Sequence, residues 1–163
     1  MKVIIIGAGF TGTQLAKRLI ADQNDVVLID KNEEVVRHAS NRLDCMVVHA
    51  NGNNLDTLIE VGIAKADALV ALTESDELNM ITCSLVQSVY PKVLKIARVR
   101  NEDYYPNEKS ITQKEQRALY GIDFMVHPDF EAASAIVNAV EHGAISDVLE
   151  IEDSPYEVAR VTI

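Results

Sequence analysis

Short apolar runs alternate with amphipathic stretches along most of the chain. An uninterrupted apolar run is typical of a strand that is covered on both faces of its sheet. Six segments are predicted to be strands of this kind: residues 3–6, 26–30, 46–48, 67–73, 93–99 and 124–126.

Apolar residues at helical spacing fill the segments between these runs. The first predicted helix starts at Gly12, and the second follows the cap residue Asn32 to about residue 43. Three more are predicted around 55–59, over 75–89 and over 112–120. The last is capped by Asp129 and runs to about residue 142. The helix over 75–89 is the most periodic, with an apolar face formed by Leu78, Ile81, Leu85 and Val89.

Strands that alternate with helices predict an α/β fold, a Rossmann-like, doubly wound parallel sheet with right-handed crossovers. The expected six-stranded order is 3-2-1-4-5-6. This order places the carboxyl ends of the first and fourth strands at the switch point, where such sheets bind ligands.

The pattern changes after Gly143. Residues 148–151 are predicted to form a strand, 152–155 a turn, and a second strand is expected to start at Arg160, giving a short β-hairpin behind the C-terminal helix. We therefore expect one domain over 1–142 and a separate segment over 143–163, whose hairpin packs on that domain or on a partner or is the start of a second domain.

Composition narrows the functional classes. The 163 residues are 48% hydrophobic and 25% charged, which is typical of a globular domain, and the formal net charge is −10. This charge argues against nonspecific binding to nucleic acid and against docking on anionic lipid. No apolar run approaches the ~20 residues of a membrane helix, and the sequence pattern predicts no signal peptide.

A glycine-rich turn follows the first strand. In Gly7-x-Gly9-x-x-Gly12, the first glycine allows the tight turn, the second lets a pyrophosphate approach the backbone, and the third lets the helix pack closely. The free amides and the dipole of that helix start favour an anion. Asp30, which closes the second strand, is placed to accept both ribose hydroxyls of an adenosine, with a structural turn and a surface aspartate as the alternative.

Other chemistry-bearing residues show no catalytic or metal-binding spacing. Cys45 and Cys83 are predicted to be free thiols. His49 and His127 each follow an apolar run. They are expected either to lie near a ligand at a strand end or to be ordinary hydrogen-bonded histidines. Neither a catalytic site nor a metal site is predicted.

Several longer motifs resemble the TrkA-type regulatory domain, also called the TrkA-N, KTN or RCK domain, of bacterial and archaeal potassium uptake systems. They are the glycine turn with Asp30, Ala66-Asp67-Ala68 leading into Ala71-Leu72-Thr73, the run Ser75-Asp76-Glu77-x-Asn79, and Ile96-Ala97-Arg98. The resemblance covers residues 1–142, and residues 146–163 resemble the opening of the C-terminal ligand-sensing lobe.

This resemblance implies a cytoplasmic, non-enzymatic module at the inner face of the membrane that binds NAD(H), or alternatively ATP or ADP. It implies gating of an integral-membrane potassium transporter or channel through conformational change of a homodimer, tetramer or larger ring.

The resemblance also implies a set of ligand-binding residues. They are Gly7, Ala8, Gly9, Phe10, Thr11 and Gly12 at the phosphates, Asp30 and Lys31 at the ribose, Asn51, Gly52 and Asn53 near the adenine, Thr73 at the border of the ligand, and Arg98 at the phosphates or the neighbouring loop. Asp129 occupies a position where some ATP-binding members have a cation-binding glutamate, although a helix cap explains it as well. Arg98 either meets the ligand or pairs with Asp76 and Glu77.

Two further interpretations stay open. An NAD(H)-dependent oxidoreductase fragment would need a general acid or base, for which Tyr104, Tyr105 and Lys109 are the remote candidates. A dimerisation module with a decayed pocket is the other. The apolar face of the last helix, formed by Phe130, Ala133, Val137 and Val140, is expected to be a hinge or dimer contact or to cover its own sheet.

Overall fold

The structure is a computed structural model that describes residues 1–105, 120–142, 147–150 and 157–160. The chain divides into two compact units, Met1–Val126 and His127–Ile163, and each is described by itself.

The first unit contains a six-stranded parallel sheet in the order β3-β2-β1-β4-β5-β6, which confirms the predicted fold and strand order. Its strands are β1 (Lys2–Ile6), β2 (Asp25–Asp30), β3 (Met46–His49), β4 (Ala68–Ala71), β5 (Leu94–Arg98) and β6 (Phe124–Val126). Its helices are α1 (Phe10–Ala21), α2 (Glu33–Ser40), α3 (Leu55–Glu60) and α4 (Asp76–Val89), with 3-10 turns at Ile63–Lys65 and Glu102–Tyr104. The helix predicted over 112–120 lies, apart from Tyr120, outside the described residues.

The core consists of two apolar layers, one on each face of the sheet. Alternate residues of β1 point to opposite faces. Ile4 and Ile6 belong to the layer that contains Leu58 of α3 and Val86 of α4, while Val3 and Ile5 belong to the layer that contains Ala16 of α1 and Ala39 of α2. Burial on both faces explains why the strands are continuous apolar runs in the sequence.

Helix α4 buries a different side from its most regular apolar stripe. The buried residues are Asn79, Met80, Thr82, Cys83 and Val86. Ile81 and Val89, from the stripe noted in the sequence, are 54% and 47% exposed. The inward side of this helix therefore carries polar groups that need hydrogen-bond partners.

The second unit contains α5 (Pro128–His142) and an antiparallel hairpin of β7 (Asp147–Glu150) and β8 (Glu157–Arg160). The predicted hairpin is confirmed, but its second strand begins earlier than Arg160. The predicted turn at 152–155 lies outside the described residues.

The start of α5 differs from the prediction. Asp129 is not the cap, because the helix already begins at Pro128, and the amide of Phe130 donates to Nδ1 of His127 at 3.3 Å. Proline favours the first helical position because its fixed φ suits the helix and the amide it lacks would be unpaired there. Phe130, Val137 and Val140 are at least half exposed. Among the described helices, none is long and apolar enough to cross a membrane.

Candidate functional site

The turn after β1 depends on Gly7. Its φ is +103°, a left-handed value that favours glycine, and its amide donates to the carbonyl of Ile29 at 2.8 Å. A Cβ at this position would lie 3.0 Å from the carbonyl carbon of Leu72, just beyond β4. Gly7 thus lets the loop pass between the carboxyl ends of β2 and β4.

Gly12 and Gly9 have opposite surroundings. A Cβ on Gly12 would lie 1.9 Å from the carbonyl oxygen of Gly7, so α1 packs against the loop as closely as glycine permits. This agrees with the predicted packing role. Gly9 is the cap residue of α1, has an ordinary φ of −63°, and a Cβ there would meet nothing within 4 Å. The space in front of Gly9 is therefore open.

The amino terminus of α1 differs from those of the other described helices. Its first turn contains no acidic residue and no side chain caps it. The first turns of α2, α3, α4 and α5 each contain at least one carboxylate. Because unpaired amides and the helix dipole attract anions, α1 is the helix start best suited to a phosphate.

Asp30 connects the loop after β1 to the loop after β2. One carboxylate oxygen accepts from the amide of Ala8 at 2.7 Å, and the other accepts from the amide of Asn32 at 2.8 Å. A carboxylate has about four lone-pair positions, so each oxygen can still accept a second donor. Phe10 is 82% exposed and does not pack over the loop.

The loop after β3 lies beside this pair of loops. Gly52 is buried, and a Cβ there would lie 2.0 Å from Cγ2 of Ile6. Asn51 and Asn53 flank it with exposed side chains. The carbonyl of Lys31 accepts from Nε2 of His49 at 3.0 Å, which ties β3 to β2. The predicted adenine-side residues thus sit at one sheet edge with Asp30, while Gly52 itself has a packing role.

Asn79 organises the far side of the site, a role that was missed in the sequence. It is fully buried and joins the ends of β4 and β5. Its Oδ1 accepts from the amide and hydroxyl of Thr73 at 2.9 and 2.7 Å, and its Nδ2 donates to the carbonyls of Thr73 and Arg98 at 3.1 and 2.8 Å. The motif Ser75-Asp76-Glu77-x-Asn79 singled out this residue in the sequence, but not its hydrogen-bond partners.

Arg98 contacts the backbone rather than the acids of α4. Its Nη2 donates to the carbonyl of Thr73 at 2.6 Å, while its Nε is buried without a partner. Burial, followed by the charge of Arg100, lowers the pKa of Arg98. Within the described parts of the chain no ion pair links Arg98 to Asp76 or Glu77, so the pairing alternative is wrong.

The acids of α4 instead hold the segment that follows β5. Asp76 accepts from the amides of Arg100 and Asn101 at 2.7 and 2.8 Å. Glu77 accepts from the hydroxyls of Ser75 and Tyr104 at 2.9 and 3.1 Å.

The candidate oxidoreductase residues are not arranged as an acid–base group. The hydroxyl of Tyr105 donates to the carbonyl of Val99 at 2.9 Å. The hydrogen bond to Glu77 and the charge of that residue raise the pKa of Tyr104, which keeps its hydroxyl protonated. Lys109 lies outside the described residues.

Metal and thiol chemistry receive no support from the parts of the chain that the structure describes. No cluster of three or more His, Cys, Asp or Glu side chains able to hold a metal is found there. Cys45 and Cys83 are free thiols, as predicted. A depression of about 440 Å³ bounded by residues including Ala66, Tyr90 and Pro91 lies at the amino ends of β4 and β5, away from the glycine turn.

A model of the TrkA-N domain family matches residues 3–128 of this chain. The chain belongs to the TrkA-N family. The TrkA-N chain is 34% identical over 164 residues to the Trk system potassium uptake protein TrkA homolog of Methanothermobacter thermautotrophicus, with 100% of this chain and 71% of the relative covered. It is 32% identical over 162 residues to the TrkA protein of Azorhizobium caulinodans, with 99% of this chain covered. It spans 35% of the length of that relative.

Solved structures share the TrkA-N fold. The GsuK channel bound to NAD is 25% identical, with a TM-score of 0.68 over 86% of this chain and 23% of the GsuK chain. GsuK bound to ADP is also 25% identical, with a TM-score of 0.66 over 86% of this chain and 34% of the other.

Proposed function

We propose that this TrkA-N domain is a nucleotide-binding regulatory part of a potassium uptake system, and that its ligand is NAD(H), with ADP or ATP as the alternative. The observation that carries the proposal is the open space before Gly9 beside a carboxylate, Asp30, already held in place by two backbone amides. The NAD- and ADP-bound GsuK structures support the same ligand class.

The residues fit such a ligand. The amides at the start of α1 would hold the pyrophosphate, Asp30 would accept the adenosine ribose hydroxyls, and Asn51 and Asn53 would lie near the adenine. A carboxylate at the ribose repels a 2′-phosphate, so NADP(H) is disfavoured. The ligand supplies no chemistry in this role, and the domain is proposed to be a sensor rather than an enzyme.

Regulation would work through differential affinity. A nucleotide shifts an equilibrium only if it binds one arrangement of the domains more tightly than another. We propose a homodimer or larger ring, with the exposed apolar residues of α5 as a contact, docked in the cytoplasm on a membrane potassium transporter or channel. The names of the Trk relatives support this partner class.

Calorimetry with NAD, NADH, ADP, ATP and NADPH tests the ligand. We expect binding of NADH and weaker binding of NADPH. Asp30→Ala should weaken the binding of NADH by about tenfold or more, since it removes the hydrogen bonds from the ribose to a charged acceptor. Asp22→Ala, which removes an exposed carboxylate at the far end of α1, is the matched control and should leave NADH affinity unchanged. Preference for NADPH, or unchanged binding by Asp30→Ala, would overturn the ligand assignment.

Gly9→Ala gives an independent test. Its φ suits alanine and its Cβ meets no protein atom, so the melting temperature should change little. The added methyl group would stand where the phosphate approaches, so NADH affinity should fall by about tenfold or more. Retained affinity would mean that the ligand does not approach this turn.

Small-angle scattering with and without NADH tests the regulatory part of the proposal. A ligand-dependent change in the scattering of an oligomer is expected. A monomer whose scattering NADH leaves unchanged would contradict gating through subunit rearrangement in this chain.

A further inference from the structure

We propose that Asn79 is a positioning residue that turns the carboxyl end of β4 into an acceptor subsite for the hydroxyl groups of a second ribose, and so favours a dinucleotide over a nucleoside triphosphate. This inference rests on the proposed nucleotide function and goes beyond it by naming what the far side of the site selects.

The orientation of the Asn79 side-chain amide follows from its neighbours. Two carbonyl oxygens, of Thr73 and Arg98, face one end of the amide at 3.1 and 2.8 Å. Carbonyls only accept hydrogen bonds, so the NH₂ group must lie at that end. The oxygen must then face the amide of Thr73, at 2.9 Å. With the amide flipped, donor would face donor and acceptor would face acceptor.

This orientation determines whether the polar groups of Thr73 donate or accept hydrogen bonds. Its backbone amide donates to Oδ1 of Asn79. Its hydroxyl lies 2.7 Å from this Oδ1 and 3.2 Å from the carbonyl oxygen of Ser75. Both neighbours of the hydroxyl are acceptors, so its single proton points at the protein. Among the described residues no donor reaches this oxygen. The half-buried Thr73 therefore presents lone pairs to a ligand.

A negative charge acts on the same segment, since the carboxylate of Asp76 interacts electrostatically with Arg98, whose Nη2 donates to the Thr73 carbonyl. Phosphate oxygens are acceptors and anions, so a γ-phosphate is a poor match for the lone pairs of Thr73. Ribose hydroxyls are donors and match these lone pairs. Arg98 keeps further N–H groups for the pyrophosphate.

Calorimetry with ADP, ADP-ribose and ATP separates these chemistries, because ADP-ribose adds only the second ribose to ADP. We expect ADP-ribose to bind about three- to tenfold tighter than ADP, the usual effect of one or two hydrogen bonds, and tighter than ATP. Thr73→Val should reduce the ratio of ADP-ribose to ADP affinity to about one, whereas Thr73→Ser, which keeps the hydroxyl, should retain it.

Thr82→Val is the matched control, because the hydroxyl of Thr82 bonds only the helix carbonyl of Leu78 at 2.7 Å. Its affinity ratio should equal that of the wild type. Asn79→Ala removes the nearer of the two acceptors and leaves only the Ser75 carbonyl at 3.2 Å, so the Thr73 hydroxyl can also donate to a ligand and preference should shift towards ATP. If Asn79→Ala fails to fold, the comparison of Thr73→Val with Thr73→Ser still decides the test.

The outcomes distinguish this inference from the proposed function. Two results would overturn the acceptor subsite and leave nucleotide binding intact. One is wild-type protein that binds ADP-ribose no more tightly than ADP. The other is a ratio of ADP-ribose to ADP affinity that is the same in Thr73→Val and Thr73→Ser. Wild-type protein that binds none of the nucleotides would overturn both.

Discussion

Glycines of this chain do three different physical tasks. Gly7 adopts a left-handed backbone, Gly12 and Gly52 allow contacts closer than a methyl group permits, and Gly9 leaves a space that no protein atom fills. The glycine motif predicted roles for Gly7, Gly9 and Gly12, but not for Gly52. The packing of Gly52 depends on Ile6, 46 positions earlier in the chain, and no local pattern encodes such a contact.

Gly52→Ala is expected to destabilise the protein by about 1–3 kcal/mol, because the added methyl group overlaps the Ile6 side chain and forces the loop or the side chain to move. Urea unfolding measures the change. Gly9→Ala is the control, with its Cβ in open space. Equal stability of the two variants would show that the loop after β3 yields without cost.

Lys95 is a buried charge that the apolar pattern of its strand concealed. The Lys95 side chain is 1% exposed, and its ammonium group donates to the carbonyls of Val93 and Pro91 at 2.7 and 3.3 Å. The ammonium nitrogen lies 3.1 Å from a carboxylate oxygen of Asp123, whose side chain is 29% exposed. That carboxylate also accepts from the Lys95 amide at 2.8 Å and thus joins β5 to the chain before β6.

Removing Asp123 should therefore lower the free energy of unfolding by more than removing Lys95 does. Asp123→Asn leaves an uncompensated buried charge, and a loss of about 3–5 kcal/mol is expected. Lys95→Met removes that charge and leaves a carboxylate that water can reach, so its loss should be smaller. Urea unfolding of both variants compares them, and a larger loss for Lys95→Met would contradict this account.

At the scale of elements, helix α4 joins the sheet to the segment after β5 through its first-turn acids. Ser75, predicted as the first residue of this helix, is instead its cap, and its hydroxyl accepts from the amide of Leu78 at 3.1 Å. The helix dipole favours both carboxylates in this first turn, and Asp76 and Glu77 also accept hydrogen bonds from groups of residues 100–104.

Glu77 gives α4 a measurable pH dependence. Hydrogen bonds from its own backbone amide, Ser75 and Tyr104 hold the pKa of Glu77 below its usual value of 4.5. A lowered folded-state pKa stabilises the protein above the unfolded pKa, and this stabilisation is lost as the pH falls through the folded pKa. Wild-type protein should therefore melt above Glu77→Gln at neutral pH, and the difference should shrink as the pH falls below the usual value of 4.5 and vanish below the folded-state pKa.

Glu34→Gln is the matched control for this prediction, because Glu34 lies in the first turn of α2, exposed to solvent. Thermal melts between about pH 3 and 7 should show a smaller pH-dependent difference for Glu34→Gln. A gap for Glu77→Gln that stays constant over this range would contradict the assignment.

Strand and helix order was predictable because continuous apolar runs and capping residues are local signals. The role of Asn79 was not, since it depends on contacts with Thr73 and Arg98, which come from two other segments. Asp30 was predicted because a family motif places it, yet its bond to Ala8 emerges only when β1 and β2 pair in register.

On the scale of the whole molecule, a bound nucleotide should stabilise the sheet it joins. NADH at a hundred times its dissociation constant adds about 2.7 kcal/mol to stability, which corresponds to roughly 5–10 °C in melting temperature for a chain of this size. Thermal melts with increasing NADH measure this shift. Asp30→Ala should show a smaller shift at the same concentration, and equal shifts would place the ligand elsewhere.

The double anchoring of Asp30 has a thermodynamic consequence. A carboxylate whose rotamer is fixed before the nucleotide arrives is preorganised, so little conformational entropy is lost there on association. More of the interaction energy at the ribose then remains as binding affinity. In the proposed homodimer or ring, an allosteric response would come from contacts that differ between subunit arrangements, since the carboxylate at the ribose holds the same position before and after the nucleotide binds.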